Sequence, residues 1–180
     1  MGQNDPDHGE ANIIVGMAEA AMHMYTAAID SLPNAGDIEF PSRAQVILSG
    51  LRKLEGTLTD AAARSRRSPE VVVALSDVRR QYDGLMARVA AAPGSTLGQQ
   101  LYVARRNASL SAQEAANGIG LRADLVEKLE AGKAPTEEEA VKIKELIRAL
   151  GGSPEVADRA DAREIHMESF DESMTPGGEG

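Results

Sequence analysis

Apolar residues in the first half of the chain recur at alternating spacings of three and four, which marks helices that bury one face. Ile14, Met17, Ala21, Met24 and Ala28 form one such seam and predict a helix from about Ala11 to Leu32, stopped by Pro33. The first ten residues are polar and read as disordered. A loop rich in Pro, Asn and Gly follows, from Pro33 to Pro41. Ser42 and Gln45 have the spacing of a capping box and open a second helix striped by Ile47, Leu51, Leu54 and Leu58. That stripe fades at Arg64, Arg66 and Arg67. Ser68-Pro69-Glu70 restarts a helix, with Ser as N-cap, Pro at the first helical position and Glu in the first turn. The third helix carries Val71, Leu75, Val78, Tyr82, Leu85 and Val89, and Gly94 marks its end.

Three helices with matching seams over residues 11–94 predict a helical hairpin or three-helix bundle. The third stripe has coiled-coil spacing, which fits packing inside the chain and packing against a second copy equally well. The region is expected to oligomerise, as a homodimer.

From Thr96 onward the chain divides by capping chemistry. Thr96 and Gln99 form one capping box and open a helix reading Leu97, Leu101, Ala104. Ser111 and Glu114 form a second, opening a short helix to about Asn117. Gly118-Ile119-Gly120-Leu121 gives a turn in which glycine takes positive φ without steric cost. A further helix spans Arg122 to Glu130 and stops at Ala131-Gly132. Thr136 and Glu139 make a third box, and that helix runs to Leu150 with Gly151 just past its end. Four short helices with a tight turn between the second and third describe a helix-turn-helix domain over residues 96–152.

Thr96–Gly151, about a third of the chain, resembles the Cro/repressor-type, or XRE-family, DNA-binding domain. Leu110-Ser111-Ala112-Gln113-Glu114-Ala115-Ala116 looks like the family's second helix, with Ala116 as the small residue where two helices cross. Gly120-Leu121 matches the turn glycine and the apolar residue after it. Val126 and Leu129 match the buried positions of the third helix, and Glu130-Ala131-Gly132-Lys133 is similar to its ending. The resemblance implies an ion pair between Arg105 and Glu130. It also implies a DNA-facing set of Ser111, Gln113, Arg122, Ala123, Asp124, Lys128 and Lys133. In that frame Lys128 bonds guanine O6/N7, Asp124 accepts from cytosine N4 and Ala123 touches a thymine methyl. Arg122, Lys133 and Arg106 are left for phosphates. Ala112 stands where the family commonly has Gln, and Asp124 and Glu127 repel phosphates, from which most affinity normally comes.

The fold class expected is therefore all-α: an N-terminal helical hairpin or three-helix bundle, a four-helix repressor-type domain, and a disordered acidic tail over 153–180 with one short helix to about Ile165. Charge follows this division. The chain carries a net −9, of which residues 1–95 hold −3, residues 96–152 none and residues 153–180 hold −6. Aromatics make up 3% of the residues, so the cores must be built from aliphatic residues and Ala, which favour helices.

The absence of Cys excludes disulfides, thiolate metal sites and a cysteine nucleophile. His8, His23 and His166 are scattered, and no phosphate loop or nucleophile elbow occurs. Met22-His23-Met24 continues an apolar stripe rather than forming a metal site. Asp158, Asp161 and Glu164 lack the loop geometry of a calcium site. No catalytic residue, metal or cofactor is expected, and the protein reads as a non-enzyme.

No signal-peptide pattern or transmembrane run is present, so the expected place is the cytoplasm, at the nucleoid if DNA is bound. The expected function is a sequence-specific DNA-binding transcriptional regulator whose partner is double-stranded DNA, with the N-terminal helices serving oligomerisation. The alternative is an adaptor whose helix-turn-helix binds a protein instead. Arg64, Arg66 and Arg67 either assist DNA binding or complement a helix end.

Overall fold

A proline has no backbone N–H to leave unpaired, so it fits the first turn of a helix, where that donor has no partner. In the computed structural model, which describes residues 6–64 and 68–154, α1 accordingly runs Pro6–Asp30. Residues 6–10 are thus helical, not disordered, and the helix ends two residues before the predicted Leu32. The expected seam is also displaced. Met17 and Met24 are 69% and 73% exposed, while Ala11 and Ala18 are buried and Ile14, Ala21, Tyr25 and Ala28 are half-buried. The cause is that α1 is apolar on more than one side, so spacing alone cannot say which side turns inward.

After Asp30, Asp37 closes a turn. Its carboxylate accepts the Glu39 N–H at 2.8 Å, and its carbonyl accepts the Phe40 N–H at 3.1 Å. Helix α2 therefore starts early, at Phe40–Arg64, and Ser42 lies inside it rather than at its cap. The Ser42 hydroxyl donates back to the Glu39 carbonyl at 3.0 Å. Phe40, Ala44, Ile47, Leu48, Leu51, Leu58 and Ala61 are buried, whereas Leu54 of the predicted stripe is only half-buried.

Helix α3 (Pro69–Ala90) buries all six residues of its predicted stripe together with Met86. Ser68 is its N-cap residue, but the hydroxyl bonds Glu70 at 3.0 Å and leaves the helix's own N–H groups alone. The α3 stripe is covered within the chain, by α2 above all and by α1. Arg79 pairs with Glu55 at 2.7 Å, Gln81 donates to Thr26 at 3.0 Å, and the Arg52 guanidinium donates to the Tyr82 hydroxyl while lying over its ring. Gly50 gives α1 room, because a Cβ there would overlap the Tyr25 side chain.

The chain divides into two compact units, Met1–Ala92 and Pro93–Gly180. The second unit holds α4 (Leu97–Asn107), α5 (Ala112–Gly118), α6 (Ala123–Glu130) and α7 (Glu137–Ala149). Three of these open with a complete capping box, at Thr96/Gln99, Ser111/Glu114 and Thr136/Glu139. All four close in the same way. The N–H of the second residue past the C-cap reaches back to the carbonyl five residues before it: Leu110 to Arg105, Leu121 to Ala116, Lys133 to Lys128 and Gly152 to Ile147, at 2.8–2.9 Å. This is the Schellman ending, which requires a left-handed residue just past the cap. Gly120, Gly132 and Gly151 supply it at φ 65°, 112° and 84°, and Ser109 supplies it at φ 58°.

These ends frame a core of Leu97, Leu101, Ala104, Ala116, Val126, Leu129, Ile143 and Ile147. Gly98 lets α4 touch the backbone of α6, since a Cβ there would overlap the Leu129 carbonyl. Among the described residues the fold is all-α, with seven helices and no strand. No described helix is long and apolar enough to cross a membrane. The first five residues, Arg66, Arg67, and the expected acidic tail with its short helix from residue 155 onward lie outside the described residues.

Candidate nucleic-acid interface

Arg105, in the last turn of α4, organises the region around α5 and α6. Its Nε and Nη2 donate to the two carboxylate oxygens of Glu130 at 2.5 and 2.7 Å, and its Nη1 donates to the Leu110 carbonyl at 3.1 Å. The backbone answers in return, because the Leu110 N–H donates to the Arg105 carbonyl. The two charged side chains are 11% and 6% exposed. Burial opposes the charge on Arg105, but the hydrogen bonds and charge of Glu130 outweigh it and raise the guanidinium pKa above its ordinary value. The guanidinium also lies over the Tyr102 ring, 4.9 Å from its centroid. One residue thereby fixes the end of α4, the approach to α5 and the end of α6.

Between α5 and α6 the turn is set by Gly120. Its N–H reaches the Asn117 carbonyl at 3.4 Å, and Leu121 packs against the core. Val126 and Leu129 anchor α6 from below. On the other side of α6, Arg122, Asp124, Glu127 and Lys128 are exposed. Asp124 stands between two cations and accepts from Arg122 and from Lys128, each at 3.1 Å. Its pKa is lowered, chiefly by the hydrogen bond from Lys128 and, less strongly, by the nearby charges of Arg122 and Lys128. The sequence did not announce this triad as a pairing: a spacing of four permits Asp124–Lys128, whereas Arg122 reaches Asp124 from the extended N-cap position.

The other expected positions divide. Lys133 is exposed just past the end of α6. Ser111 and Gln113 sit at the start of α5 with their side chains engaged locally: the Ser111 hydroxyl with Glu114 at 2.7 Å, and Gln113 with Asn117 at 2.8 Å. Ala123 is half-buried and packs partly against the core, so it is not a freely projecting methyl. Arg64, at the end of α2, donates to the Asp60 carbonyl at 3.3 Å. Gly98 and the left-handed Ser109 escaped sequence reasoning; only a glycine in the first turn of a helix, beside the buried Leu97 and Leu101, hinted at the first.

Among the described residues no cluster of His, Asp or Glu has the geometry to hold a metal ion. The surface of α6 offers hydrogen-bond donors on two cations, with a carboxylate between them. Such a surface fits an anionic ligand only if that carboxylate is outweighed or displaced.

The family model MSMEG_6518_N, described as an N-terminal domain, matches residues 25–96. These extend from the second half of α1 through α3. An uncharacterized protein of Mycolicibacterium smegmatis is 63% identical over 129 residues, which make up 72% of this chain and the whole of that relative. Neither compact unit is that long, so the similarity runs across both. No solved structure matches the chain.

Proposed function

We propose that this chain, which belongs to the same family as the Mycolicibacterium smegmatis protein, is a DNA-binding transcriptional regulator of the repressor type that acts as a homodimer. The second unit carries the DNA contact, with α6 as the element entering the major groove, and the N-terminal helices bring two copies together. The observation that supports this reading is the presentation of α6. Two capped helices and the Gly120 turn hold it from one side by Val126, Leu129 and Glu130, while Arg122, Asp124 and Lys128 stand exposed on the other. Helix-turn-helix readers place the early part of this helix against base edges and use flanking cations on phosphates. Lys128 is the base-reading residue, and Arg122 and Lys133 are the phosphate contacts.

A salt series of binding to mixed duplexes tests the reading, because phosphate neutralisation releases counterions and binding is strongest at low salt. Lys128→Ala is expected to relax sequence preference, and Lys133→Ala to weaken binding to all sequences alike. Asp124→Asn removes the carboxylate that competes with phosphate and is expected to tighten binding by roughly fivefold. No binding above background at low salt, by the native chain or by Asp124→Asn, overturns the reading.

The double ion pair of Asp124 favours a second reading, an adaptor in which the helix-turn-helix docks a protein. A surface that neutralises its own cations is poorly suited to phosphates yet compatible with a polar protein rim. The Asp124→Asn result separates the two.

A further inference from the structure

Helix α1 contains no Lys or Arg over its 25 residues, and apolar residues occur on the side that packs into the bundle and again on the opposite side. The outer side presents Ile13, Met17 and Met24, which are 65%, 69% and 73% exposed, with Gly16, Ala20 and Ala27 between and beside them. Their order, Ile13-Met17-Ala20-Met24-Ala27, has the four-three spacing of a helix–helix seam. Nothing charged interrupts it. A helix that is apolar all round is normally covered all round, and among the described residues nothing covers this side.

We propose that this stripe is the contact between two copies of the chain, with α1 packed antiparallel against α1 of a second copy; the inference rests on the homodimeric reading above and names its surface. Self-complementarity identifies the occupant. Run antiparallel, one register sets Met24 against the partner's Ala20 and Met17 against the partner's Ala27, each long flexible side chain over a small one. Two-fold symmetry then repeats both contacts. Residues 1–95, which hold α1, carry a net −3, and this uncharged stripe is a place where two copies meet without opposing carboxylates.

Size sets the strength of the contact. From Ile13 to Ala27 the stripe is about 21 Å long on a helix about 10 Å across, offering on the order of 300 Å² per copy. A stable standard interface buries about 800 Å² per partner. The contact is therefore weak and reversible, and a duplex carrying two half-sites would raise the effective concentration of one copy beside the other.

Sedimentation equilibrium of the full chain without DNA, from a few µM to several hundred µM, tests this. A monomer–dimer equilibrium is expected, and Met17→Glu with Met24→Glu is expected to weaken it at least tenfold with helix content unchanged. A second measurement does not depend on those variants folding. Because the chain has no Cys, His23→Cys beside the stripe and Thr57→Cys on α2 are clean probes for a short bismaleimide. Selective cross-linking of His23→Cys into dimers supports the proposal. A native chain that stays monomeric throughout, a dimer indifferent to the double Glu variant, or equal cross-linking of the two cysteines overturns it. None of these readouts involves DNA, so they fail independently of the DNA-binding reading.

Discussion

Arg105 and Glu130, 25 residues apart, meet through two parallel hydrogen bonds in a place almost closed to water. Such a forked pair is directional as well as charged, and it tolerates neither Lys nor a shorter acid in its place. Removing one partner leaves the other charge buried and unanswered, which costs about 3–5 kcal/mol. Glu130→Ala and Arg105→Ala are each expected to destabilise the second unit by about 3 kcal/mol or more, read as a lower urea midpoint for that unit. Arg105→Met combined with Glu130→Leu should recover much of the loss. A double variant no better than either single one would show that the hydrogen bond to Leu110, rather than the charge pair, is what matters.

Gly98 makes a sharper case. Ala normally improves an exposed helix position by about 0.5–1 kcal/mol over Gly. Here the added methyl meets the Leu129 carbonyl and the backbone behind it, which cannot yield without moving the end of α6. Gly98→Ala is expected to reverse the sign and destabilise by at least about 2 kcal/mol, with loss of the cooperative thermal transition of the second unit. An unchanged midpoint would mean that α4 and α6 do not approach as described.

Ser109 runs the other way. It holds φ 58° at the close of α4, where the other three helices of the unit use glycine. The left-handed conformation costs an L-residue about 1–2 kcal/mol, so Ser109→Gly is expected to stabilise the unit by up to about 1 kcal/mol. Differential scanning calorimetry would show it as a rise of several degrees in Tm. Ser109→Val should lower Tm.

Acid should loosen the second unit before it reaches the core. Glu114 accepts the backbone N–H of Ser111 and then its hydroxyl, and these bonds lower its pKa below the ordinary 4.5. Glu138 is lowered likewise by the hydrogen bond and charge of Lys142. Folding thus favours the charged forms. Their contribution is complete above the ordinary value and fades as pH falls through the lowered one. Glu114→Gln keeps an acceptor for the cap but cannot titrate. Urea midpoints of this variant and the native chain are expected to converge as pH falls from about 6 to about 3; parallel curves would argue that the cap is not the titrating element.

Capping chemistry is legible in the sequence because it is local. Thr96, Ser111 and Thr136 each find their partner three residues on, and the α3 stripe is strict enough to define a face. What stayed hidden is non-local or two-sided. The seam of α1 cannot be chosen from spacing because both of its sides carry apolar residues. The start of α2 depends on the turn at Asp37, which completes the first bonds ahead of Ser42. At the candidate interface the charges are visible but their pairing is not: whether Asp124 faces cytosine or its own neighbours depends on side-chain reach. Ala123 turns inward because it stands three residues before Val126, on the face of α6 that packs against the core.

The Schellman closures have a further consequence for how α6 can change over evolutionary time. Both of its boundaries are written outside its exposed surface, by Gly120 before it and Gly132 after it, and its seating is written on its underside by Val126, Leu129 and Glu130. The side chains at 124, 127 and 128 carry none of that information, and Arg122 caps the helix by its extended backbone without a side-chain bond. They form an exchangeable cassette, free to drift or be replaced as a set while the scaffold that presents them stays constant.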